Sequence, residues 1–423
     1  MGLVKIQEYK YLSKLKKEDI EGRIFLVRFD FNEHLNYTKK DIALIRDGTR
    51  IRAARPTIEH ILNNGGKLVG MSHLDRPNGI EPEWSLGPVF NYLQGMFPKN
   101  QGYFAEDCIG QNVPDMIRNM ENGNFLLLEN LRFHREEQGY AEDRSKEANI
   151  RFARTLASYA TLSDKKGVYV NDAFGTMHRA HSSLNGIPEQ SNLECYAGFL
   201  VEKELRALSV LSNPKKPYVA IVGGRKVNTK IKVVENLMKK TDIILIGGAL
   251  SYAFMAAQNM SAGDYPDLEE KTVATARRIL DKQGENGYAK VFLPSDHMIG
   301  NEYSESAASK LHTDKSIPKG WLALDIGTKT IQDYKEVIQQ AGTILWNGPM
   351  GVYEFEPFFS GTRTIAETVA DSNAISIVGG GYTGPAVNKT GLSKKMTHVS
   401  TGGGAMIEFA EKGDLPGLAA LRR

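Results

Sequence analysis

The stretch Tyr218-Val219-Ala220-Ile221-Val222-Gly223-Gly224-Arg225-Lys226-Val227-Asn228-Thr229-Lys230 decides how this chain is read. Its opening apolar run, rich in β-branched residues, predicts a strand covered on both faces, as in a parallel sheet. Two glycines then turn the chain, and Ile231 to Lys239 carries helical spacing. A glycine turn between strand and helix lets backbone N–H groups approach phosphate, and the helix N-terminus adds a favourable dipole. Lys226 and Lys230, four apart, share one helix face.

The same unit recurs outward in both directions. Apolar runs predict strands at Ile24 to Arg28, Lys67 to Met71, Phe125 to Glu129, Val168 to Asn171, Ile243 to Ile246, Val291 to Leu293, Ile344 to Trp346 and Ile375 to Val378. Helical spacing lies between them, for example from Arg50 to Leu62. Alternating strand and helix means right-handed βαβ units and doubly wound sheets. A chain of 423 residues exceeds one ordinary core, so two α/β, Rossmann-like domains are expected. The stretch Asn192 to Leu211 reads as one long helix that Asn213-Pro214 breaks. The expected division is a first domain over 1–190, a hinge helix over 191–212, and a second domain over 213–404. No internal repeat or low-complexity segment is visible, and Ser163 to Gly167 is a polar turn.

The hydrophobic share of 41% and charged share of 24% are those of a soluble globular protein. A net charge of +3 without a long Lys/Arg run argues against nucleic acid as a partner. Cys108 and Cys195 make neither a disulfide framework nor a Cys-x-x-Cys metal pair, and read as two buried thiols in a reducing compartment. The start, Met1-Gly2-Leu3-Val4-Lys5-Ile6, lacks a secretory apolar core and a myristoylation pattern. The longest apolar stretch, Ile243 to Ala257, is too short to span a bilayer and is interrupted by Gly247 and Gly248. The tail Leu421-Arg422-Arg423 is no peroxisomal address. Cytoplasm is the expected location, with no membrane partner.

In the first half, cationic or hydrogen-bonding side chains follow the apolar runs: Arg28 to Asn32, Thr49-Arg50, Ser72 to Pro77, Glu129 to His134, and Asn171 to Arg179. In a parallel sheet those strand ends converge on one edge. A guanidinium donates two parallel hydrogen bonds and never deprotonates, so arginines with a histidine imply a strongly anionic small ligand. Any one of them alone is better read as a surface ion pair. Repetition after successive strands is what solvation does not explain.

In the second half, Gly223-Gly224-Arg225-Lys226, Gly379-Gly380-Gly381 and Gly402-Gly403-Gly404 each follow an apolar run. One such cluster only makes a tight turn. Three, with lysines, favour a nucleotide polyphosphate. No Gly-x-x-x-x-Gly-Lys-Ser/Thr loop occurs. Gly379, Gly381 and Gly384 spell Gly-x-Gly-x-x-Gly, but Pro385 follows at once and the acidic residue expected about twenty positions later is missing, which speaks against a nicotinamide dehydrogenase. Without a Gly-x-Ser-x-Gly or Cys–His nucleophile or a His-x-x-x-His pair, the chemistry reads as charge stabilisation.

Taken in order, these segments resemble the phosphoglycerate kinase family along nearly the whole chain. Arg28-Phe29-Asp30-Phe31-Asn32 is similar to its Arg-Val-Asp-Phe-Asn, and Ser72-His73-Leu74-Asp75-Arg76-Pro77 to its Ser-His-Leu-Gly-Arg-Pro. Leu127 to Phe133, Val170 to Thr176, Trp346 to Val352 and Ser400 to Ala405 match its motifs without change. The resemblance implies reversible transfer between 1,3-bisphosphoglycerate with ADP and 3-phosphoglycerate with ATP. It implies that Asp30, Phe31, Asn32, Arg50, His73, Leu74, Asp75, Arg76, Arg132 and Arg179 form the phosphoglycerate site. On the nucleotide side it implies Gly223, Gly224, Lys226, Lys230, Ala323, Leu324, Asn347, Glu354, Gly380, Gly381, Tyr382 and Thr383. Arg50, Lys226 and Gly403 would serve the transfer itself, Glu354 the ribose, and Ala323 with Leu324 the adenine. It further implies a monomer, Mg²⁺ carried with ATP or ADP mainly on phosphates and water, and a C-terminal segment, 405–423, returning to the first domain.

Four positions depart from the family pattern. Asp75 stands for Gly, Arg225 for Ala, Thr229 for Asp, and Tyr382 for the Asp that normally helps hold magnesium. The last three each shift the nucleotide side by +1, together +3. The expectation is that Arg225 and the lost acids offset a looser metal. Asp75, beside Arg76, is expected to compete with substrate for that arginine. The competing reading is a catalytically weakened homologue, favoured by Tyr382 and Thr229, against which Lys226, Arg50 and Gly402 to Gly404 are intact.

Overall fold

The computed structural model describes residues 6–33, 35–37, 43–45 and 47–423. The stretch Met1 to Lys5, read above for a leader, lies outside the described residues. The chain divides into two compact units: one runs up to Arg206 and includes Lys412–Arg423, the other is Ala207–Glu411.

The first unit is built on six parallel strands in the spatial order Gly102–Phe104, Phe125–Leu127, Lys67–Met71, Ile24–Phe29, Val168–Asp172, Glu194–Ala197. Every residue of Ile24–Phe29 is buried, because helices cover both faces and the apolar run has no solvent side. Phe25, Val27, Leu68 and Val170 sit in one core, each contributing about 1.5–3 kcal/mol by leaving water. Arg28 pairs with Met71 on one side and Asn171 on the other, so the strands end together. The loops that follow them emerge along one edge.

No helix covers Asn192 to Leu211. Glu194–Ala197 is an edge strand paired with Val168–Asn171, and the helix begins only at Phe199, running to Leu208 before a short 3-10 turn over Ser209–Ser212. The reason lies in Asp172, whose Oδ1 accepts the N–H groups of Leu200 (2.9 Å) and Val201 (3.3 Å) and so caps that helix. Gly198 lies so close that a Cβ there would meet Asp172 Oδ1 at 2.3 Å. Burial pushes the Asp172 carboxyl up to about 6. Within this unit Arg422 donates to Tyr9 Oη (2.6 Å) and pairs with Asp414, while Asn185 donates to Pro416 O (3.0 Å). Residues 405–411 cluster with the second unit.

The second unit also holds six parallel strands, ordered Lys290–Phe292, Ile243–Ile246, Tyr218–Val222, Thr343–Asn347, Ile375–Gly379, His398–Ser400. Val222 pairs with Ile246 and Asn347, and Gly379 with Ser400, so the glycine clusters leave the sheet at one edge. Gly223 and Gly348 meet there: a Cβ on Gly348, whose φ is 106°, would lie 2.0 Å from Gly223 O. Only glycine permits that approach. A feature not foreseen is an antiparallel trio, Ser309–His312, His297–Gly300 and Leu322–Ile326. Ser309–His312, at one side of it, is exposed, so no apolar run announced that strand.

Candidate active site

In the first unit, the edge where strands end forms a cavity of about 150 Å³. Asp30 follows strand Ile24–Phe29, His73, Asp75 and Arg76 follow Lys67–Met71, Arg132 follows Phe125–Leu127, and Arg179 follows Val168–Asp172. Asn32 and Arg50 complete the wall, with Gly175, Thr176 and His178, which sequence reasoning quoted within a segment without assigning. Phe31 and Leu74 do not line it. Both side chains are fully buried, Phe31 stacking on Phe29 at 4.7 Å.

Arg50 is the second residue of helix Thr49–Asn63. Gly48 precedes that helix with φ 68° and offers no side-chain cap. The buried Glu33 does that work instead, its Oε1 accepting N–H from Arg50 (2.7 Å) and Ile51 (3.2 Å). Arg50 itself pairs with Asp30.

The cations in this cavity repel one another. Burial, then Arg28, Arg179 and Arg76, push Arg132 down to about 10, and burial with Arg76 lowers Arg179. Arg132 Nη1 donates to Asp75 O, while its Nε is buried without a partner among the described residues. A clustered, incompletely paired set of guanidinium groups is what a small polyanion satisfies. Arg28, read from sequence with the cationic strand ends, instead lies behind the cavity at 1% exposure. It donates to Ser183 Oγ (2.8 Å), faces Glu137 at 3.9 Å and reaches His73.

Asp75 occupies left-handed backbone, φ 47°, with its N–H on Asn32 Oδ1 (2.8 Å). Among the described residues it makes no ion pair with Arg76, so the expected competition for that arginine is not seen in this conformation.

The second unit carries a larger cavity, about 470 Å³, within the range of small-molecule sites. Gly224, Ala323, Leu324, Glu354 and Tyr382 line it. Gly223, Lys226, Lys230, Asn347, Gly380, Gly381, Thr383 and Gly403 lie outside its lining. Several of these are knitted together at the sheet edge. Lys230 Nζ donates to Asn347 Oδ1, Asn347 Nδ2 to Gly379 O (2.6 Å), and Gly348 N–H to Thr383 Oγ1 (2.7 Å). Burial and the Lys226 charge lower the Lys230 ammonium to about 8. Gly403, at φ 51°, precedes helix Gly404–Lys412 with nothing within 4 Å of where a Cβ would stand.

Sequence reasoning missed the aromatic wall. Tyr252 and Tyr265 stack at 3.9 Å, and Tyr303 and Tyr353 stand in the same cavity. The Tyr252 hydroxyl accepts Ala323 N–H (2.6 Å) and donates to Ala323 O (3.0 Å), fixing the backbone of one wall. Tyrosines scattered over a hundred residues give no local signal.

Two α/β units, each built on a parallel sheet, one with a guanidinium-lined cavity and the other with glycine turns and lysines, define a phosphotransferase that handles small phosphorylated molecules. The phosphoglycerate kinase family model matches residues 15–412. The chain is 42% identical to a phosphoglycerate kinase of Clostridium tetani, covering 95% of this chain and 96% of that one. It is 41% identical to cytosolic phosphoglycerate kinase 3 of Arabidopsis thaliana, covering 96% and 97%. The solved phosphoglycerate kinase of Coxiella burnetii superposes with a TM-score of 0.80 at 35% identity, covering 98% of each chain. The chain belongs to the phosphoglycerate kinase family. It is thus a kinase of glycolysis that uses adenine nucleotide and transfers a phosphoryl group to a carboxyl acceptor.

Proposed function

We propose that the first unit holds 3-phosphoglycerate or 1,3-bisphosphoglycerate and the second holds ATP or ADP, and that the phosphoryl group passes reversibly between them. The observation that carries this reading is the convergence of Arg50, Arg76, Arg132, Arg179 and His73 on one small cavity. Asp30 and Asn32 would orient the hydroxyl and carboxyl ends of the acid, while the guanidinium groups neutralise its phosphate. The Arg132 Nε without a partner supports an anion there.

On the nucleotide side, Ala323 and Leu324 would face the adenine and Glu354 the ribose. The turns at Gly223, Gly224, Gly380 and Gly381, with Tyr382 and Thr383, would surround the phosphates. Lys230, steadied by Asn347, would neutralise them. Lys226 would meet the moving phosphoryl group, and the helix start at Gly403 would receive it. Catalysis is then positioning plus charge stabilisation, with no covalent enzyme intermediate. Helix Phe199–Leu208 would act as the hinge.

The residues around the larger cavity do not make a metal cage. Its carboxylates are Asp264, whose Oδ1 accepts Gly320 N–H (2.8 Å), and Glu354. Among the described residues the grouping of three ligating side chains is Asp107, Cys108 and His134, which line neither cavity. Magnesium would therefore arrive with the nucleotide, on phosphate and water oxygens. The buried, free Cys108 and Cys195 support a reducing, cytoplasmic setting. A monomer acting on small molecules, without nucleic acid or membrane, completes the reading.

A coupled assay with 3-phosphoglycerate and ATP tests it. Turnover is expected with magnesium, and its loss when Arg50 or Lys226 is replaced by alanine. A folded wild-type chain that binds both ligands without turnover would instead favour the weakened homologue.

A further inference from the structure

Arg225 has no carboxylate within salt-bridge distance among the described residues, although it stands on the turn that leads into helix Val227–Leu237. It lines the same cavity as Ala323, Leu324 and Glu354. Its guanidinium lies 5.2 Å from the centre of the Tyr303 ring, and that ring packs edge-on against Phe355 at 5.1 Å. A ring face under a guanidinium restrains its plane without consuming its N–H groups. The fork is thus pre-positioned and its donors are open for a phosphate.

The balance of charge around the cavity points the same way. Lys226 is the next residue, and Lys230 lies one helical turn on. Tyr382, next to helix Thr383–Lys389 and half exposed, contributes a phenol to the lining and no carboxylate. Asp264 is engaged with Gly320, and the remaining carboxylate is Glu354. A polyphosphate normally needs a dication because its own charges repel one another; a cluster of fixed cations meets the same need.

We propose that Arg225 is a nucleotide-phosphate anchor that takes over part of the dication's role, so that this chain binds free ADP almost as well as its magnesium complex. This rests on the nucleotide site proposed above. Arg225 supplies a bidentate contact to the polyphosphate beside Lys226, and Tyr303 holds it in place.

Calorimetric titration of the full chain with ADP, once in magnesium and once in excess chelator, tests this. The two wild-type dissociation constants are expected to agree within about threefold, and Arg225→Ala to weaken binding about tenfold or more in chelator but about threefold at most in magnesium. Arg225 is exposed, so the variant keeps the fold, which circular dichroism verifies. Equal losses under both conditions, no loss, or a wild-type chain that binds ADP only with magnesium each overturn the role of Arg225 and leave the nucleotide site standing. A wild-type chain that binds no ADP under either condition overturns the site itself.

Discussion

Arg28 Nη2 lies 3.2 Å from His73 Nδ1. A guanidinium only donates, so Nδ1 accepts and the ring proton belongs on Nε2. The buried arginine thereby sets the tautomer of a histidine that lines the arginine-walled cavity.

From this follows the charge state of His73. Burial, then Arg28, Arg132, His181 and Arg50, hold its imidazole well below the ordinary value. The unfolded ring takes a proton more readily than the folded one, so this group costs stability as pH falls below about 6.5 and is silent above it. Nitrogen-15 NMR should show a ring still neutral, with its proton on Nε2, at the pH where a free imidazole is half protonated. A ring that titrates near its ordinary value contradicts the charge state, and a neutral ring with its proton on Nδ1 contradicts the tautomer.

Glu137 is the counter-charge behind that pair. Burial raises its carboxyl, but His181 at 3.7 Å, Arg28 at 3.9 Å and the hydrogen bonds from Ser183 outweigh this and hold it at about 2. Its folded value is below its unfolded one, so its stabilisation is present above about pH 4.5 and is lost as pH falls toward about 2. Glu137→Gln should cost about 3 kcal/mol at pH 7, because Arg28 is left buried without its partner, and should flatten the acid limb of denaturant-derived stability. A loss under about 1 kcal/mol shows that Arg28 is adequately held by Ser183 and His73.

Lys230 titrates near the working range. Its ammonium, lowered to about 8 by burial and Lys226, is charged below that pH and neutral above it. Affinity for ADP should therefore fall as pH rises through about 8, and binding at that pH should take up protons. Titrations in buffers of different ionisation enthalpy measure the uptake. Lys230→Arg, which stays charged, should remove it; uptake that persists in this variant assigns the proton elsewhere.

Asp75 sits where left-handed backbone suits glycine. Asp75→Gly should relieve that φ at the cost of a freer unfolded chain, leaving stability within about 1 kcal/mol. It also removes a carboxylate from the wall of the cavity proposed to hold the acid, so the Michaelis constant for 3-phosphoglycerate should fall. An unchanged constant shows that the side chain stays clear of the ligand, as its lack of an ion pair with Arg76 in this conformation allows.

The central strands were legible because each is buried on both faces and so must be apolar along its length. Tyr218–Val222 and Lys67–Met71 have the bounds their composition predicts. Glu194–Ala197 was not legible: a mixed tetrapeptide becomes a strand only because Val168–Asp172 offers it an open edge. Ser309–His312 is exposed along most of its length and is a strand only by pairing with His297–Gly300.

The candidate site divides in the same way. Arginines placed after successive strands could be picked out, since parallel pairing brings those ends to one edge. That Arg28 belongs to the layer behind was invisible, because its counter-charge Glu137 is remote in sequence and only packing brings them within 3.9 Å.

Local order along the chain thus determined the parallel strands, their glycine turns and the residue types at their ends, since these depend on neighbours a few positions away. Only the tertiary structure decided which arginines line the cavity and which is buried, where the edge strands pair, and how Arg225 comes to lie over Tyr303. Each of those depends on a partner far along the chain, and burial and Coulomb energy act on distance in space, not in sequence.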